Sequence, residues 1–257
     1  MGSDARRPLL RRNSAHRASP LIGVLALLAS PALALPTTEA QRKPEDLGVL
    51  FVGGFQTTRA NYEGYLARFS ETFAHVGYQD ISSDMFNPDH MRDHDNVKAA
   101  LKNLQDAGAR RVIAIGFSSG GKHAARLALD DDHVVALGLL DPVDGGPDPE
   151  GKTPIFIKDG DEISKPTMLL ASEHGPKPKV AGRACAPRDV GPDHFRAHIA
   201  PEKLIVNKTV SGASHLNFVA KPWNFMFRVA CDNGTNEHEA TLSAITNDVV
   251  AFLEGIQ

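Results

Sequence analysis

Residues 112–121 constrain this chain more than any other stretch. Residues 112–115 form a short, unbroken apolar run, and Gly116-Phe117-Ser118-Ser119-Gly120-Gly121 follows directly. Residues 122–129 then read as a helix. An apolar run without alternation has no solvent-facing side, so it predicts a strand buried on both faces. A buried strand that turns straight into a helix belongs to a sheet with helices packed on it, not to a helical bundle or a two-sheet sandwich.

The rest of the chain repeats the theme. Leu47–Val52 is a second apolar run, ending at Gly53-Gly54. Tyr62, Tyr65, Leu66, Phe69, Phe73 and Val76 fall at steps of three and four, which predicts a helix over 61–76 that Gly77 stops. Val97, Ala100, Leu101 and Leu104 predict another. Strands are predicted at Val134–Leu140, at 167–170 after Pro166 and, more weakly, at 205–210. A last helix spans about 237–253, with Leu242, Ile245, Val249, Val250 and Leu253 on its apolar side. This alternation predicts an α/β fold with a mostly parallel central sheet and helices on both faces. Chemistry in such sheets sits at the carboxyl ends of the strands.

The N-terminal region reads differently. Residues 1–34 carry Arg6, Arg7, Arg11, Arg12 and Arg17 against Asp4 alone, then an apolar run and Ala32-Leu33-Ala34. These are features of a cleavable targeting segment, for a secretory route or an organelle such as a plastid. Residues 35–46 read as a linker, and 47–257 as the folded domain. Without the leader the chain has 23 basic and 30 acidic residues, near −7, which argues against binding nucleic acid through its phosphates. The two cysteines, Cys185 and Cys231, are either a disulfide or two buried thiols.

Gly116 to Gly120 is a G-x-S-x-G motif in the strand–turn–helix setting of the α/β-hydrolase fold, which makes Ser118 a candidate nucleophile. A serine alcohol needs a base, and the base an orienting acid. His215, in the small-residue loop after the strand at 205–210, is the candidate base. Two acids compete from pattern alone, Asp141 at the end of the Val134–Leu140 strand and Glu173 after the 167–170 strand. Pro142 stiffens the turn beside Asp141 and tips the balance slightly towards it. Asp144 reads as a turn residue bonding its own backbone. The oxyanion donors expected are the backbone N–H groups of Ser119 and of Phe55, in the loop after the first strand. His90 with His94 and His194 with His198 have the i, i+4 spacing of metal ligands, but neither pair has a zincin glutamate or adjoins a cysteine cluster, so neither metal nor cofactor is expected.

At these residues the chain resembles the chlorophyllase family. The resemblance is carried by Val49-Leu50-Phe51-Val52-Gly53-Gly54-Phe55, by Gly116 to Lys122, and by Gly138-Leu139-Leu140-Asp141-Pro142-Val143-Asp144-Gly145. Cys185-Ala186-Pro187 with His194-Phe195, Gly212-Ala213-Ser214-His215 and the C-terminal stretches 231–234 and 250–255 add to it. It implies a Ser118–His215–Asp141 triad, placing Asp141 above Glu173, and hydrolysis of the phytyl ester of chlorophyll to chlorophyllide and phytol. It implies no protein cofactor, since the magnesium of such a substrate belongs to the pigment. A large, greasy ester also implies an apolar cleft and peripheral contact with a membrane. The chain has Phe117 where the family usually has His, and Gly53 where it usually has the His of a His-Gly-Phe loop. The 23 residues from Ser118 to Asp141 are closer to the related platelet-activating-factor acetylhydrolase type. Two other readings share the scaffold: a general lipid or polyester esterase, and an inactive pigment-binding protein.

Overall fold

The computed structural model describes residues 45–81, 89–145, 153–178, 184–221 and 231–256. The leader at 1–34 and most of the linker lie outside them. The described strands are β1 (Leu47–Val52), β2 (His75–Gln79), β3 (Arg111–Phe117), β4 (Val134–Leu140), β5 (Thr167–Ser172) and β6 (Leu204–Val210). They form one six-stranded sheet in the order β2-β1-β3-β4-β5-β6, and every neighbouring pair is parallel. Among the described residues five α-helices accompany it: α1 (Glu63–Thr72), α2 (His90–Asp106), α3 (Ser119–Asp130), α4 (Pro192–Ala197) and α5 (His238–Glu254).

Alternate side chains of each central strand feed two separate cores. Phe51, Ile113, Ile115 and Met168 point to one face, where they meet Tyr65 and Phe69 of α1 and Ile245 and Val249 of α5. Leu50, Val52, Val112, Ala114 and Leu169 point to the other and meet Val97 and Leu101 of α2, Ala124 and Leu127 of α3, and Phe195 of α4. Burial on both faces explains why these strands read as continuous apolar runs. The chain steps from β1 outward to β2 and returns to the other side of β1 for β3, so the strand order reverses between β1 and β3. Sheets of this kind bind ligands at such a reversal, beyond the carboxyl ends of the strands, and Gly53–Gly54 and Ser118 directly follow β1 and β3 there.

One sequence expectation needs correction. The helix expected over 61–76 ends at Thr72, Phe73 is extended, and Val76 lies in the unforeseen strand β2. Phe73 and Val76 keep the helical spacing because both pack on the core that α1 covers, from extended backbone. β2 is an edge strand, half-buried throughout, so it carries no continuous apolar run to announce it. Helix α2 also begins well before Val97, at His90, capped by the Asp89 carboxylate accepting the Arg92 N–H at 3.0 Å. Its first turns are too polar for apolar periodicity to reveal them.

Candidate active site

Ser118 sits between β3 and α3 at φ 52° and ψ −128°, a strained conformation for a residue with a Cβ. The neighbouring glycines make this turn possible. A Cβ on Gly116 would stand 2.4 Å from the Gly120 carbonyl oxygen, and one on Gly120 would stand 2.4 Å from that of Val52. Glycine at both positions lets α3 start hard against β3 and β1. The Ser118 carbonyl accepts N–H groups from Gly121 and Val143, each at 2.9 Å, which ties the turn to the loop after β4.

Asp141 is the first residue beyond β4, also at positive φ (43°), with its N–H donated to the Leu170 carbonyl at 2.7 Å. Its side chain is wholly buried. Oδ1 accepts the Ser172 N–H at 2.9 Å, and Oδ2 accepts the Ser172 hydroxyl at 2.6 Å. Ser172, the last residue of β5, was missed by sequence reasoning; its signal is a polar residue closing an otherwise apolar strand.

His215 opens a short 3-10 turn after β6, held by the Ser214 hydroxyl accepting the Leu216 N–H at 3.2 Å. Its Nδ1 lies 2.7 Å from Asp141 Oδ2, and its Nε2 lies 2.9 Å from Ser118 Oγ. A carboxylate only accepts, so Nδ1 carries the ring hydrogen and Nε2 is the acceptor for the serine hydroxyl. The Phe117 ring lies 4.7 Å from the imidazole, centroid to centroid, and is wholly buried. All three polar groups are shielded from water, which strengthens the bonds between them.

Glu173, the rival acid, is not in this line. It is exposed, accepting the Gly212 N–H at 2.8 Å and the Ser211 hydroxyl at 2.9 Å, and the Gly212 bond holds its carboxyl below the usual range. It braces the loop that carries His215. Asp144, read as a turn residue, bonds a later segment among the described residues. Buried, it accepts N–H groups from Ile155, Phe156 and Ile157, because the chain folds a later segment over it.

Ser119 N–H is the first of α3, so helix geometry leaves it without an intrahelical acceptor. Phe55 N–H lies in the loop after β1 and donates to Ser119 Oγ at 2.9 Å. The preceding Gly54 N–H is held away by the Tyr62 hydroxyl at 2.9 Å, which in turn donates to Thr57 at 2.7 Å. Burial raises the Tyr62 phenol well above its ordinary value. The Sγ atoms of Cys185 and Cys231 are bonded to each other. The bond anchors Ala186, which donates its N–H to the Gly175 carbonyl at 3.0 Å, close behind Asp141. The rings of His194 and His198 lie 4.5 Å apart, centroid to centroid, tilted by 57°, with His194 Nε2 3.5 Å from Asp144. Among the described residues no helix is long and apolar enough to cross a membrane.

Several solved structures share the fold at low identity. The LipS and LipT metagenome-derived lipolytic enzymes match with 12% identity and TM-score 0.53, over 83% of this chain and 95% of theirs. Est1E from Butyrivibrio proteoclasticus matches with 14% identity and TM-score 0.52, over 84% and 91%. Ferulic acid esterase from Streptomyces cinnamoneus matches with 17% identity and TM-score 0.54, over 83% and 67%. These place the chain in the α/β-hydrolase fold. Among curated protein sequences none matches it significantly. The family comparison reaches further, since the sequence model named Chlorophyllase matches residues 72–256. That span holds Ser118, Asp141, His215 and both cysteines, and the loop carrying Phe55 precedes it. On that match, covering well over half its length, the chain belongs to the chlorophyllase family of ester hydrolases.

Proposed function

We propose that the protein is a chlorophyllase-type serine carboxylesterase that cleaves the phytyl ester of chlorophyll to chlorophyllide and phytol. The observation that carries the chemistry is the buried line from Asp141 through His215 to Ser118, with bonds of 2.7 and 2.9 Å. In this reading Ser118 attacks the ester carbonyl while His215 Nε2 takes its proton. Asp141 holds the imidazole in the tautomer that leaves Nε2 basic and stabilises the imidazolium. The tetrahedral oxyanion is met by the N–H groups of Ser119 and Phe55. His215 then returns the proton to the departing phytol oxygen, and water releases the acyl group by the same steps reversed.

The family supports the pigment as substrate, and a greasy alcohol of that size implies an apolar cleft and peripheral contact with a membrane. An intact hydrogen-bonded line speaks against an inactive carrier. Export through the secretory route or into an organelle is proposed from the leader, and the disulfide fits an oxidising compartment.

The test is hydrolysis of chlorophyll a in detergent by the wild type and by Ser118→Ala, following chlorophyllide. Release by the wild type alone supports both chemistry and substrate. Ser118-dependent cleavage of a short p-nitrophenyl ester without chlorophyllide would replace the pigment by a general ester. Turnover of neither by a folded protein would leave pigment binding.

A further inference from the structure

Behind the site, between α2 and α3, lies a cluster of polar side chains that the ester chemistry does not use. His90 and Asp93 stand three residues apart at the start of α2, so they share a face. His123 reaches them from α3. One donor atom from each lies within 4.8 Å of the others. His123 is wholly buried, and neither of its ring nitrogens has a hydrogen-bond partner; buried His90 Nε2 has none either. Burying such nitrogens unbonded is costly, and native proteins rarely do so without a reason.

Packing accounts for part of the cluster. The His123 ring lies 5.0 Å from Phe156, and that of His94 lies 5.1 Å from it. Those contacts use the rings as apolar bodies and leave the nitrogen lone pairs unsatisfied. His94 Nε2 faces Asp130 at 3.8 Å, outside the three-residue set. Charged groups of both signs surround the cluster. Asp93 and Asp144 face the single ammonium of Lys122, whose Nζ donates to the Gly145 carbonyl at 3.0 Å.

We propose that His90, Asp93 and His123 form a binding site for one divalent transition-metal ion of the zinc class, which staples α2 to α3. Two imidazoles and one carboxylate suit zinc rather than calcium or magnesium, which take oxygen donors. A tetrahedral ion with ligands at about 2.0–2.1 Å holds its donors about 3.4 Å apart, so the three donors close in by up to about 1.4 Å and water takes the fourth position. The sequence expectation of no metal weighed His90 with His94. The ligand set is different, because folding brings His123 to the start of α2. The ion's role is structural, since α3 is the helix whose first N–H faces the oxyanion position.

The test strips the full chain with a chelator and titrates it with zinc sulfate by calorimetry, with circular dichroism to report the fold. One equivalent is expected to bind, raising Tm by about 5–10 °C at a hundredfold excess over Kd. Magnesium and calcium should give no shift. His90→Ala, at a half-exposed position, should bind zinc about tenfold more weakly or worse while His194→Ala binds as the wild type does. Failure of the wild type to take up zinc would overturn the site, whatever the variants do. So would undiminished uptake by a folded His90→Ala, or loss confined to His194→Ala.

Discussion

The hydroxyl of Ser119 accepts the backbone N–H of Phe55 at 2.9 Å. The free protein thus occupies, with its own side chain, a donor that the proposed oxyanion needs, and Ser119 must turn away as the substrate carbonyl arrives. A neutral hydrogen bond is worth about 1 kcal/mol net, so Ser119→Ala should raise kcat/KM by no more than about fivefold. Steady-state kinetics on a p-nitrophenyl ester checks this. A tenfold or larger loss would make the hydroxyl itself an oxyanion donor.

The two acids separate cleanly by mutation. Asp141→Asn keeps the shape but reverses the preferred tautomer of His215, and kcat should fall by about 10^4-fold. Glu173→Gln touches an exposed carboxylate and should leave kcat within about twofold. Equal losses in the two variants would undo the assignment of Asp141.

Gly175 offers a test that removes no polar group. A Cβ there would stand 2.3 Å from Ser172 Oγ and 2.8 Å from Asp141 Oδ2. Gly175→Ala should push the carboxylate off the imidazole and lower kcat by about 10- to 100-fold, with KM little changed and circular dichroism intact.

The bond between Cys185 and Cys231 closes a loop of 46 residues, for which chain entropy gives about 4 kcal/mol. Replacing both cysteines by alanine should lower Tm by roughly 10 °C in a thermal scan. The same scan on reduced wild-type protein should agree. An unchanged Tm would mean that local packing alone holds residues 184–190.

Tyr62 links stability to alkaline pH. Burial raises its pKa above the ordinary 10.0, so the native state keeps a proton that the unfolded chain releases. The stabilisation is complete below pH 10 and is lost as pH rises beyond it. Tyr65 and Tyr78 are raised in the same sense, also by burial. Tyr62→Phe should cost about 1–3 kcal/mol at neutral pH, since Gly54 N–H and Thr57 lose their partner, yet fall less steeply above pH 10. Urea unfolding from pH 7 to 11 compares the slopes.

How much was legible in advance follows from the range of each interaction. The strand–turn–helix around Ser118 is local. An apolar run, glycines at Gly116 and Gly120 and a helical stretch are all read within a few residues, and β1, β4 and β5 announce themselves in the same way. Edge strand β2 has no continuous apolar run, because it is only half-buried. The polar start of α2 is likewise silent to periodicity. The rivalry between Asp141 and Glu173 cannot be decided by pattern, because both follow strands; it is decided by which carboxyl group the β6 loop brings to His215.

The sequence by itself therefore determined the fold class, the nucleophile turn and the order of the candidate groups, since these depend on neighbours along the chain. The tertiary structure alone decided which acid meets the histidine, that Ser172 supports that acid, that Ser119 holds the loop around Phe55, and that His123 joins His90 and Asp93. Each of these is a contact between segments far apart in sequence, made only when parallel strands bring their carboxyl ends, and the helices that follow, side by side.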